Sequence, residues 1–152
     1  MNWGRDAFAQ HGITELPVQT NFSLSREVGT IRGMHYQRPP NEECKLVRCT
    51  QGALFDVVVD LRKDSPSYLA WFGQELTAAN HLSMWIPRGC AHGFQTLLPE
   101  TEIAYFVTAP YSKELEAGVR WDDPAVGIRW PLPVSLISER DKNFPLLDRN
   151  IR

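Results

Sequence analysis

The chain has little cysteine, three residues in 152. An odd count without a repeated spacing excludes a disulfide framework. Cys44 and Cys49 stand five apart, which is no zinc-knuckle spacing. The three read as reduced thiols of a cytoplasmic protein. Neither sign of charge dominates: 16 Lys and Arg face 18 Asp and Glu, for a net charge of -2. No basic stripe marks a nucleic-acid partner, and an anionic ligand must be held by a few placed cations. No run approaches the roughly 18 apolar residues of a membrane span, so no membrane contact is expected. Met1-Asn2-Trp3-Gly4-Arg5-Asp6 lacks the basic-then-apolar pattern of a leader. There is no internal repeat, linker or low-complexity tract. These absences predict a soluble, cytoplasmic protein with one domain over 1–152.

What is present is a series of short strands. Hydrophobic residues make up 43% and charged residues 22%, a balance that supports a packed core. One short helix is predicted over Arg5 to Gln10, stopped by Gly12. Strands are predicted over Leu16–Phe22, Thr30–Tyr36, Lys45–Thr50, Ala53–Leu61, Leu69–Leu76, Ser83–Ile86, Ala91–Leu97 and Glu102–Thr108. In the fourth, Phe55, Val57, Val59 and Leu61 share one face and Asp56, Val58 and Asp60 the other. Gln51-Gly52, Lys63-Asp64-Ser65-Pro66-Ser67 and Pro87-Arg88-Gly89 are breaks. Short strands with regular turns mean a sandwich or barrel, and the length suits an all-β, cupin-type jelly-roll barrel with short peripheral helices. From Pro110 onward the pattern loosens into ordered loop that packs back on the barrel.

Chemistry enters with the four histidines. His11 and His81 lie in polar, exposed segments. His35 ends a strand in Arg32-Gly33-Met34-His35-Tyr36-Gln37, and His92 opens another in Ala91-His92-Gly93-Phe94. A single His is usually a structural, hydrogen-bonded side chain. Two flanked by glycines on barrel strands, with Arg32 and Lys45 near in sequence, point instead to a site. Strand parity puts Gly33, His35 and Gln37 on one face and Arg32, Met34 and Tyr36 on the other. A bulge or twist is needed to bring Arg32 and His35 into one pocket. A metal is disfavoured, because barrel metal sites use a His-x-His pair and position 37 is Gln. Cys90, two residues from His92, reads as a small buried hydrophobe rather than a nucleophile. Tyr105 shares a face with Ile103 and Val107 and points into the barrel, either as a core phenol bonded to backbone or as a functional one. Tyr111 follows Pro110 in a loop, to stack on a planar ligand or to cover the barrel mouth.

These residues resemble the dTDP-4-dehydrorhamnose 3,5-epimerase family. The matching stretches include Gly29-Thr30-Ile31-Arg32-Gly33-Met34-His35-Tyr36-Gln37, Lys45-Leu46-Val47-Arg48 and Asp56-Val57-Val58-Val59-Asp60-Leu61-Arg62. Trp85-Ile86-Pro87, Ala91-His92-Gly93-Phe94, Trp121-Asp122-Asp123-Pro124 and Ser138-Glu139-Arg140-Asp141-Lys142 complete them. The resemblance implies a jelly roll that pairs into a homodimer. It implies that His35 is the general base, Asp141 the carboxylate that supports it, Tyr105 the general acid and Lys45 the cation near the sugar carbonyl. Arg32, Gln19, Asn21, His92, Glu116 and Arg140 are then substrate or nucleotide contacts, and Tyr111 stacks on the base. The family also carries an Arg-Gly-Phe-Phe-like segment ahead of the point where this sequence starts, contributing to the nucleotide site across the dimer. This sequence starts just after that segment, and whether the segment is truly lost or only falls before the first residue here bears on the expected nucleotide affinity, nucleotide choice and dimer stability.

The implied substrate is a dTDP-linked 4-keto-6-deoxy sugar. Its C3 and C5 hydrogens lie alpha to a ketone, so removing one gives an enolate that needs donors at its oxygen. No cofactor is implied, because the ketone is already in the substrate. Inversion at C3 and C5, or at C3 alone, is the expected activity. The alternatives are a 3,4-ketoisomerase on the same scaffold and a non-catalytic sugar-nucleotide binder. Tyr105 argues against the first, and the set His35, Asp141, Lys45 and Tyr105 against the second.

Overall fold

A computed structural model describes residues 5–147. Residues 1–4, read above for their lack of a leader pattern, lie outside the described residues. After a short helix α1 (Arg5–Ala9) come eight strands: β1 (Gln19–Ser25), β2 (Thr30–Gln37), β3 (Lys45–Gln51), β4 (Ala53–Asp60), β5 (Trp71–Thr77), β6 (Ser83–Ile86), β7 (Cys90–Thr96) and β8 (Thr101–Val107). Two short strands follow, β9 (Glu116–Gly118) and β10 (Leu136–Ile137), then helix α2 (Glu139–Lys142).

The strands form two sheets. One has the order β1-β8-β3-β6; the other runs β10-β2-β7-β4-β5, with β9 added beside β2. Neighbours are antiparallel except β10 with β2. This is the expected jelly-roll architecture, in which each sheet turns one face inward.

The strand boundaries move by one to three residues from expectation, with two local causes. The first strand begins at Gln19 rather than Leu16, since Pro17 has no N–H to give to a ladder. Val18 is the first residue to donate to Val107. Leu69 closes the turn between β4 and β5 with a positive φ of 63° and its N–H on Asp60, so β5 starts at Trp71. The loose stretch after Pro110 holds more regular structure than expected: β9, β10 and α2 all lie within it. Ser138 caps α2, its hydroxyl accepting the Asp141 N–H, which satisfies a free donor of the first turn.

Two apolar layers follow from strand parity. Inside the barrel, Val47, Leu54, Met84, Ile86, Phe94 and Ile103 pack together. Outside the larger sheet, Met34, Val57, Val59 and Ala91 pack beneath Val119, Val126, Ile128 and Trp130. The C-terminal stretch is therefore the cover of that sheet, as expected of a segment that packs back. Strand β4 is buried on both faces; Val57 and Val59 lie in the outer layer and Leu54 and Val58 in the barrel, so the Asp56–Val58–Asp60 row is the interior one.

Candidate active site

The cavity of about 400 Å³ between the sheets is walled by residues that parity aims inward. From the four-stranded sheet come Gln19 and Asn21 on β1, Lys45 on β3 and Tyr105 on β8. Asn21 sits beside Tyr105, and Val47 sits beside Tyr105 from the other flank. From the larger sheet come Arg32 and His35 on β2 and His92 and Phe94 on β7. Tyr111, Glu116 and Arg140 stand at its edge. Every site residue expected from the sequence is thus in or directly behind one cavity, Asp141 being behind it.

Arg32 and His35 share the cavity because β2 is irregular there. Arg32 pairs with Phe94 and His35 with His92, so three steps on β2 match two on β7. The extra residue reverses parity. Met34 and Tyr36 stay in the outer layer, and Arg32 leaves the face that simple alternation assigned it. Glycine makes this possible. Gly33 has φ +130°, and a Cβ there would come within 2.6 Å of Gly93 Cα. The two strands touch backbone to backbone, which no side chain at either position permits.

His35 Nε2 lies 2.8 Å from Asp141 Oδ1, while Asp141 Oδ2 accepts the Gly33 N–H at 3.1 Å. An ionised carboxylate only accepts, so in the tautomer that bonds Asp141 the Nε2 carries the proton and the ring's lone pair is on Nδ1. Phe144 packs edge-on against the ring, in space left open by Gly118. Burial pushes the Asp141 carboxyl up, but the hydrogen bonds and charge of His35, the Gly33 N–H and the Arg140 guanidinium outweigh it. The net position is below the usual carboxylate range. Arg140 Nη2 also lies 3.1 Å from His35 Nε2, and its Nη1 holds both oxygens of Glu116 at 2.8 and 2.9 Å. The Tyr111 hydroxyl donates to Glu116 at 3.0 Å.

A second imidazole–carboxylate pair lies deeper. His92 Nε2 is 2.7 Å from Asp56 Oδ1. Asp56 is wholly buried, and its other oxygen has no partner. Sequence reasoning missed Asp56 as a supporting group. Its signal was a carboxylate in an apolar alternation, whose face turns out to be the interior. The pairing Lys45–Glu43, at 3.1 Å, was likewise not anticipated.

Tyr105 lies opposite in the cavity wall. Burial, then the Glu43 carboxylate, push its phenol up, against a smaller opposing effect of Arg32. It stays protonated throughout the neutral range, and none of the described residues hydrogen-bonds its hydroxyl. Arg32 Nε donates to Ser25 Oγ at 3.0 Å, and Gln19 Nε2 donates to Asn21 at 2.7 Å. Cys44, Cys49 and Cys90 are buried free thiols pushed up by burial. No three His, Cys, Asp or Glu side chains among the described residues group as metal ligands.

A jelly roll with an imidazole and a phenol opening on one interior cavity is the scaffold of a carbohydrate isomerase of the epimerase type. The family model described as dTDP-4-dehydrorhamnose 3,5-epimerase matches residues 1–149. The chain belongs to this family. It is 50% identical over 146 residues, 95% of this chain and 73% of the other, to the dTDP-4-dehydrorhamnose 3,5-epimerase of Sinorhizobium fredii. The crystal structure of the Bacillus anthracis dTDP-4-dehydrorhamnose 3,5-epimerase, with TDP and PPi bound, superposes with a TM-score of 0.93 at 43% identity. That match covers 95% of this chain and 83% of that one. The Legionella pneumophila RmlC, in complex with dTDP-4-keto-L-rhamnose, gives a TM-score of 0.90 at 38% identity, covering 96% and 78%.

Proposed function

We propose that this protein inverts C3 and C5 of a dTDP-4-keto-6-deoxyhexose without a cofactor, in the making of a rhamnose-type deoxysugar. The observation that carries the reading is the pairing of a carboxylate-held imidazole on one sheet with a protonated phenol on the other, both lining one cavity. His35 takes the proton alpha to the ketone through Nδ1. Asp141 keeps the ring in the required tautomer and stabilises the imidazolium. The electron pair moves onto the ketone oxygen, where Lys45 meets the developing charge. As the enolate collapses back to the ketone, Tyr105 gives a proton to the carbon from the opposite side; solvent then reprotonates the tyrosinate and takes up the proton held by His35, so both groups are reset. Each proton-transfer group contributes about 10²–10⁴-fold.

Arg32, Gln19, Asn21 and His92 hold the sugar and diphosphate on this reading. Tyr111, Glu116 and Arg140, at the cavity edge, take the nucleotide. The same reading makes the protein a cytoplasmic homodimer. Phe22 and Leu24, exposed on the outer face of β1, supply apolar surface for the partner, and light scattering on the purified chain gives the mass directly.

The decisive experiment is deuterium uptake from solvent into dTDP-4-keto-6-deoxyglucose, read by mass and NMR. Exchange at two carbons with inversion supports the reading, and exchange at C3 alone supports the single-site variant. A shifted carbonyl identifies a ketoisomerase. Binding without exchange leaves only a sugar-nucleotide binder.

A further inference from the structure

Glu43 is a carboxylate inside a cavity built to receive an anionic ligand, and the reaction above gives it no task. Its Oε1 lies 3.1 Å from Lys45 Nζ, and both side chains are only 10% exposed. Its Oε2 receives a long contact of 3.4 Å from Gln37 Nε2. Gln37 is itself anchored: it donates to the carbonyls of Asn41 and Pro110 at 3.1 and 3.2 Å and accepts the Ser112 N–H at 2.6 Å. The loop carrying Glu43 is thereby tied to the loop carrying Tyr111.

Lys45 has a flexible four-carbon stem and three rotatable donors. Glu43 is its one side-chain partner among the described residues. Engaging one N–H orients the other two, and a buried ammonium needs an anion beside it before substrate arrives. We propose that Glu43 is a positioning residue, aiming the Lys45 ammonium at the carbonyl oxygen of the bound sugar. The inference rests on the epimerase reading and adds to it a residue two positions before the lysine, outside the matching motif.

The test compares Glu43→Ala and Glu43→Gln in the deuterium-exchange assay with the whole protein. Glu43→Ala lowers kcat about tenfold and leaves KM within about twofold, since the lost alignment matters at the enolate rather than in binding. Glu43→Gln still offers an oxygen to Nζ and recovers kcat to within about threefold of wild type. In a Lys45→Ala background, followed for hours at high enzyme concentration, adding Glu43→Ala costs less than about twofold. Should Glu43→Ala not fold, Glu43→Met, of similar bulk and without an acceptor, carries the same expectations. Unchanged kcat in Glu43→Ala, equal losses in Ala and Gln variants, a change in KM alone, or a full tenfold cost without Lys45 each overturn the proposal. A wild-type protein that incorporates no deuterium overturns the epimerase reading instead.

Discussion

The cavity holds two imidazole–carboxylate pairs that look alike on paper and differ in almost every physical respect. His92 and Asp56 come from neighbouring strands, β7 and β4, and both are buried, with one Asp56 oxygen left alone. His35 and Asp141 are separated by 106 positions, and the imidazole is 24% exposed. Asp141 is satisfied on both oxygens, by the His35 ring and the Gly33 N–H. The lesson is that a proton-transfer group needs a firmly held partner and an open side together. The deeper pair has the partner but little opening, which suits a fixed hydrogen-bonding contact. The shallower pair has both.

The largest effect that separates the pairs is at the ring itself. His35→Asn abolishes deuterium exchange, a loss of at least about 10²–10⁴-fold, while the melting temperature stays near wild type. His92→Asn weakens turnover less, and an equal loss at both positions breaks the comparison. Next is the opposite wall. Tyr105→Phe lowers inversion about 10²-fold but retains some exchange, because abstraction by His35 does not need the phenol; product analysis by NMR separates the two. Lys45→Ala lowers kcat more than it raises KM, as expected of a group acting on the enolate.

Smaller effects fall on stability. Asp56→Ala leaves a buried imidazole without its partner and costs about 1–3 kcal/mol in urea unfolding. Asp141 behaves differently with pH. Its carboxyl lies below its unfolded value, near about 3.9, so its contribution is present above that value and is lost as pH falls through the lowered folded one. The stability gap between wild type and Asp141→Asn is therefore constant at neutral pH and narrows below about pH 4. A gap that widens in acid contradicts the direction of the Asp141 shift.

Much of this was legible in the residues. The strand series, the inward phenol at Tyr105 and the two glycine-flanked histidines follow from periodicity and local chemistry. The need for a bulge between Arg32 and His35 followed from parity, and β2 contains it. Other features were not legible by pattern. Asp141 joins His35 from the far end of the chain, and only the motif resemblance pointed to it. Asp56 was visible as an alternating carboxylate, but both faces of β4 are covered, so alternation alone did not say which face was interior. Glu43 sits in a Pro- and Glu-containing loop with no period.

The order of residues by itself determined the β architecture, the short elements and the types of group available for acid–base work. These are local matters, decided by dihedral preference, alternation and turn chemistry over a few residues. Only the tertiary structure decided which groups meet. Closing two sheets on each other brings strand ends distant in the chain into one cavity, and an extra residue at a bulge reverses which side chains it receives. Protonation then follows from that meeting, because burial and neighbouring charge belong to the assembled site rather than to any segment.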